Sequence, residues 1–124
     1  MKRIYMRRVP DERFPEGTPD YEANILDWTE AIKQIIRRPS DPQRGAEVEE
    51  IRKGIRVFDA IDKIGEDHVL QLEDADYDHL KVKTQAMQWA FVDRRILTLI
   101  DDVLNAGEMV DLSVQLRNGV TASV

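Results

Sequence analysis

The sequence contains no cysteine. Disulfide staples and thiolate metal sites are therefore excluded, and a reducing compartment fits without being required. Long apolar runs are missing as well: none exceeds a few residues, so no segment can span a bilayer as a helix. The basic opening MKRIYMRRV is not followed by an apolar stretch and is not expected to act as a secretory signal. There is no Walker A loop and no G-x-G-x-x-G run. The six glycines are scattered at positions 17, 45, 54, 65, 107 and 119. All read as punctuation except Gly54, which falls inside a helical pattern and costs about 1 kcal/mol relative to alanine. It reads as tolerated local instability, ahead of a place where another helix or a partner comes close. Histidine occurs only at His68 and His79, in neither a His-x-x-x-His pair nor a place beside a nucleophile. His79 follows three aspartates and is expected to face solvent with a raised pKa rather than to serve as a general base. With no local catalytic, metal or cofactor motif, the expectation is a non-enzymatic protein without a cofactor.

What the chain does have is charge, unevenly placed. Its 124 residues suit one domain large enough to fold without staples. The apolar share is 42% and the charged share 34%, as in a helical domain with a well-solvated surface. A net charge of −6 argues against nucleic-acid binding by the whole surface and leaves it the least favoured option. Residues 1–9 nevertheless carry Lys2, Arg3, Arg7 and Arg8 and no acid, whereas residues 66–78 carry Glu66, Asp67, Glu73, Asp74, Asp76 and Asp78 and no Lys or Arg. The basic segment has three readings: a solvated terminus, an arm that tracks phosphates, or an arm that meets an acidic surface. If contact within one chain is impossible, the arm of one copy can reach the acidic helix start of the next, a heterologous contact that builds rings or filaments.

Periodicity predicts a mainly α fold of about four helices in a small bundle, with short β strands near the N- and C-termini. Residues 1–17 read as a basic arm or edge strand and a proline-rich connector, residues 18–107 as the helical core, and residues 108–124 as a strand or hairpin. A first helix is expected from Thr18-Pro19, with Tyr21, Ile25, Trp28, Ile32 and Ile35 on its apolar face and Pro39 ending it. A second is expected from Asp41-Pro42, with Val48, Ile51, Ile55, Phe58 and Ile61 inward, Glu49 paired with Arg52 or Lys53, and Gly65 at its end. A brief extended run covers residues 68–72. A third helix, capped by Asp74, turns Tyr77, Leu80, Thr84, Met87 and Phe91 inward. A fourth, capped by Asp93, turns Ile96, Ile100, Val103 and Leu104 inward and closes at Asn105-Ala106-Gly107. Strict alternation over residues 110–116 predicts a strand, and Asn118-Gly119 a hairpin turn. An apolar strand edge of this kind invites a partner.

The run Asp74-Ala-Asp76-Tyr-Asp78 resembles the opening of a calcium loop, but the sixth and twelfth positions are His79 and Gln85, where a sharp turn and a bidentate carboxylate are needed. Carboxylates in a first helical turn, meeting free N–H groups and the positive dipole end, are the simpler reading. Trp28 belongs to an apolar stripe and is read as core. Trp89 lies off the third helix's face and is a candidate interface anchor, or else is buried in a helix–helix corner.

The stretch over residues 70–106, from LEDADYDHL to IDDVLNA, resembles small acidic helical proteins of tailed-bacteriophage morphogenesis clusters, some of them tail assembly chaperones. The resemblance implies no cofactor, contacts with a phage structural protein or with copies of itself, no membrane, and action in the host cytoplasm or in association with the virion. The leading expectation is thus a phage assembly or accessory protein that works by protein–protein contact, through Lys2, Arg3, Arg7, Arg8, Asp74, Asp76, Asp78 and Trp89. The alternative is a small acidic regulator or inhibitor that docks on a host enzyme or nucleic-acid complex.

Overall fold

The structure, a computed structural model, describes residues 1–90 and 92–108. Four helices and several short strands make up the described chain: β1 (Lys2–Tyr5), β2 (Arg8–Val9), β3 (Leu26–Asp27), α1 (Trp28–Arg37), α2 (Val48–Asp62), β4 (Val69–Leu72), α3 (Asp74–Ala86), α4 (Arg94–Leu104) and β5 (Gly107–Glu108). The α-rich architecture read from the sequence is the observed one. Helix α3 packs against each of the other three helices. Its Tyr77, Leu80 and Thr84 are buried, and the Tyr77 hydroxyl donates to the Val103 carbonyl at 2.7 Å, tying α3 to the end of α4.

The basic segment is not an arm, and its first half is not an edge strand, though Arg8–Val9 form the edge strand β2 of a two-stranded sheet. That first half forms β1, the middle strand of a sheet ordered β4-β1-β5, antiparallel to both neighbours. Alternation explains this placement: Ile4 and Met6 point to one face and are buried with Leu70 and Leu72 of β4. The run over residues 68–72 is extended as expected. The left-handed residue that precedes β4 is His68 (φ 58°) rather than Gly65. Its carbonyl accepts the Met6 N–H at 2.7 Å.

The first helix begins at Trp28, nine residues after Pro19. Thr18 closes a turn instead, its hydroxyl donating to the Pro15 carbonyl at 2.7 Å. Residues Glu22–Asn24 form a 3-10 turn, and Leu26–Asp27 pair with Arg8–Val9. Strand pairing therefore wins over helix continuation, and Asp27 becomes the cap by accepting the Thr29 N–H at 2.9 Å. Pro39 does end the helix, with Arg38 extended before it.

The second helix likewise starts late, at Val48. Asp41 accepts the N–H groups of Gln43 and Arg44 in a turn that Gly45 leaves with φ 81°. The inward face is only partly the one expected: Ile61 is buried and Phe58 packs on the core, but the first half of the stripe faces outward. Gly54, Val57 and Ile61 are buried, while Val48, Ile51 and Ile55 are exposed. Gly54 is the reason α2 can sit as it does: a Cβ there would lie 3.2 Å from Ile36 Cγ2 of α1. Close approach, not tolerated instability, explains this glycine. Gly54→Ala is expected to be nearly neutral in urea unfolding, because about 1 kcal/mol of helix propensity offsets the tight contact. Gly54→Val is expected to cost about 2 kcal/mol by overpacking against Ile36. A stabilised valine variant would refute the close-approach account.

Asp93 caps α4 as expected, accepting the Arg95 N–H at 2.9 Å. The buried stripe of α4 is Ile96, Leu99 and Val103, with Ile100 and Leu104 only half-buried. Helix α3 starts at Asp74 itself, one residue after its cap position Glu73, and ends before Met87. The expected strand over residues 110–116, the Asn118-Gly119 turn and the inward Phe91 lie outside the described residues.

Candidate protein-binding surfaces

Three of the four basic residues near the N-terminus engage their own chain. Arg7 Nε meets Asp102 Oδ2 at 2.8 Å, and the same oxygen accepts the Trp28 indole N–H at 2.8 Å. Arg8 pairs with Glu22 at 3.2 Å and Asp27 at 3.7 Å. The Lys2 ammonium lies 5.7 Å from the centre of the Tyr77 ring. Arg3 is exposed on β1 opposite Gln71 and Gly107. The α-amino group meets Asp74 at 3.4 Å, so the basic and acidic segments do come together within one chain. This contact removes the condition on which the arm-to-next-copy contact rested.

The three aspartates of α3 do not form one surface. Asp74 and Asp78 are exposed, whereas Asp76 is buried and accepts a bond from Arg56 Nε at 2.9 Å. Trp28 is fully buried, as its stripe indicated. Trp89 is half-buried and packs on the core. Its indole N–H is buried without a hydrogen-bond partner among the described residues. His79 departs from expectation. It is half-buried, and its pKa lies below the ordinary value because burial disfavours the charged ring and Lys83 and Lys53 repel the proton.

Beside His79 lies a buried ion pair that sequence reasoning missed. The Lys83 ammonium, on a side chain only 5% exposed, donates to Glu50 Oε2 at 2.7 Å and to the Arg38 carbonyl. The Ser40 N–H and hydroxyl also donate to Glu50. Burial pushes the Glu50 carboxyl up, but the bonds from Lys83 and Ser40 outweigh it and hold the pKa at about 2. These contacts fasten the loop after α1 to α2 and α3.

Among the described residues, two surfaces stand out as open to a partner. The first is the apolar face of α2, where Val48, Ile51 and Ile55 are each more than half exposed. Phe58 continues the stripe, half-buried, with the Arg37 guanidinium 5.4 Å from its ring centre. A hollow of about 140 Å³ opens along this face, with Ile36 and Gly54 among its lining and Ile51, Ile55 and Phe58 around it. The second is a groove of about 620 Å³ between α2, β4 and the start of α3. Its acids are Asp59, Glu66, Asp67, Glu73 and Asp76, with Arg56 and Lys63 among them.

Among the described residues, no group of three or more histidine or acidic side chains is placed to hold a metal ion. No described helix is long and apolar enough to cross a membrane. The α2 face was missed because its 3.6-residue period was assigned to the core. The signal that could have revealed it is the second arc on the same helix, in which Gly54 and Val57 join Ile61 and exclude Val48, Ile51 and Ile55. Comparison with protein-family models, curated proteins and solved structures yields no match to the chain.

Proposed function

We propose that this chain is a non-enzymatic protein-binding module that works through the apolar face of α2, in the phage-assembly setting its sequence resembles. The observation that carries the reading is the exposure of Val48, Ile51 and Ile55 together on one helix face. Contiguous apolar surface of this kind marks protein contacts, whereas apolar residues exposed singly need no explanation. A protein partner fits better than nucleic acid, because Arg7 and Arg8 are paired with acids of the chain and the net charge is −6.

The acidic groove favours a second reading, a regulator that presents carboxylates to a basic partner. Its carriers would be Glu66, Asp67 and Glu73, all exposed, rather than Asp74, Asp76 and Asp78, since Asp76 is committed to Arg56.

A photo-crosslinking residue placed at position 55, in cells that make the protein, tests the first reading. Discrete protein adducts are expected from position 55 and not from exposed position 12. Indistinguishable adduct patterns at the two positions would sink it. The same probe at position 66 tests the acidic groove, which fails if position 66 yields no discrete adduct.

A further inference from the structure

We infer that the apolar face of α2 is a self-association surface, on which two copies of this chain pair α2 against α2 in antiparallel orientation across Ile55. The inference rests on the protein-binding reading of that face and names the partner as a second copy.

Geometry gives the first reason. Val48, Ile51, Ile55 and Phe58 follow one another at spacings of three, four and three, the seam of a two-helix coiled coil over about two heptads. On its α2 side the hollow is bordered by Ile51, Gly54, Ile55 and Phe58, with the end of α1 and the Lys83–Glu50 pair on its other side. The four α2 residues are positions i, i+3, i+4 and i+7, those that form a hole for one knob of a facing helix. Ile36 of α1 packs against Gly54 and forms the floor of the hollow. An antiparallel two-fold axis through Ile55 seats the Ile55 side chain of each copy in the hole of the other. It also brings Ile51 of one copy beside Phe58 of the second. Because Gly54 holds α2 closely against Ile36, the face is presented on a fixed scaffold.

Charge gives the second reason and selects the orientation. Arg52 and Asp59 are seven residues apart on the solvent-side border of the stripe, and both are exposed. In the antiparallel arrangement centred on Ile55, Arg52 of each copy comes level with Asp59 of the other. The pair therefore forms twice by symmetry, as an isologous interface requires. A parallel arrangement would set Arg52 beside Glu47 of the other copy but leave Asp59 beside Gly54, so it would pair only one of the two charges. Asp62, the next position of the stripe, ends the apolar seam. One helix face is a small interface, below about 1,200 Å² in total, so a dissociation constant on the order of 10 µM is expected.

Sedimentation equilibrium of the intact chain, from low micromolar to about millimolar concentration, reads the association directly. The expected result is a reversible monomer–dimer equilibrium. Ile55→Glu is expected to be monomeric throughout with an unchanged circular dichroism spectrum, since the side chain is about half exposed. Arg52→Asp and Asp59→Arg are each expected to weaken the dimer about fivefold, and the two together to restore it. A wild-type monomer at every concentration, or a dimer indifferent to Ile55→Glu, overturns the inference. A double variant as weak as the single ones overturns the antiparallel pairing. If the wild type is monomeric but position 55 crosslinks to another protein, self-association falls and the protein-binding reading stands. If position 55 gives no discrete adduct either, both fall.

Discussion

Glu50→Ala is expected to destabilise the fold by about 3 kcal/mol. The loss is not mainly the attraction removed. It is the ammonium left behind, because the Lys83 side chain is 5% exposed and would keep only the Arg38 carbonyl as an acceptor. Removing both charges together, as Glu50→Leu with Lys83→Met, should recover a large part of the loss, since a buried ion pair and a well-packed apolar pair differ little in net stability. Chemical denaturation of the three variants checks this, and a double variant no better than Glu50→Ala would refute it. The same pair sets the acid limb of stability. Glu50 titrates at about 2 in the fold, below its ordinary value of 4.5. Its contribution is therefore fully present above the ordinary carboxylate range and disappears as pH falls from about 4.5 towards 2. His79 acts in the same direction: its folded pKa lies below the ordinary 6.5, so acid favours the unfolded chain that takes up the proton. Between about pH 7 and pH 3 the wild type should lose stability more steeply than the uncharged double variant.

Arg95→Lys is expected to cost about 2 kcal/mol, although the charge is unchanged. The guanidinium of Arg95 donates through Nη1 to the carbonyls of Val9 and Asn24, at 2.9 and 2.8 Å, and through Nη2 to Asp93 at 2.7 Å. Asp11 lies 3.6 Å away on the same group. One planar fork thus joins the cap of α4, the end of β2 and the turn before β3, a geometry that a single ammonium cannot reproduce. Arg95→Met should cost about 3 kcal/mol, because the two carbonyls and the Asp93 carboxylate also lose their donor. Thermal unfolding distinguishes the outcomes. A lysine variant as stable as the wild type would show that charge alone suffices. Hydrogen bonds from Arg13, with the charge of Arg95 as a lesser cause, hold Asp11 at about 2, and bonds from Arg95 lower Asp93, so this cluster also weakens in acid.

The helices were legible wherever a local rule coincided with the tertiary outcome. Asp93 capped α4, Pro39 stopped α1, and Tyr77, Leu80 and Thr84 pointed inward. Reading failed where a distant segment decided. Thr18-Pro19 carries a sound start signal, but strand pairing of Leu26–Asp27 with Arg8–Val9 moved the start to Trp28. On α2 both arcs are apolar enough to be core, and only the approach of Ile36 to Gly54 selects between them. The basic segment contains no acid of its own and so reads as free; Asp102 and Asp27 reach it through folding. Among the candidate partner-binding residues, Lys2, Arg7, Arg8, Asp74 and Asp76 prove to be engaged internally. The face on α2 that now carries the proposal had been assigned to the core.

The place of β1 between β4 and β5 has a consequence for the order of folding. Lys2 stands opposite Leu72 on one side and Glu108 on the other, so a strand made early in synthesis waits for two segments made late. The helices can form from local contacts as they emerge, but the sheet closes over nearly the whole described chain. Residues 69–72, and then 107–108, must therefore emerge before the bonds of this sheet can form, and long-range closure of this kind is slow compared with helix formation. Until then Ile4 and Met6, buried in the finished molecule, travel uncovered, and the nascent chain is at its most adhesive before its own fold is available to cover them.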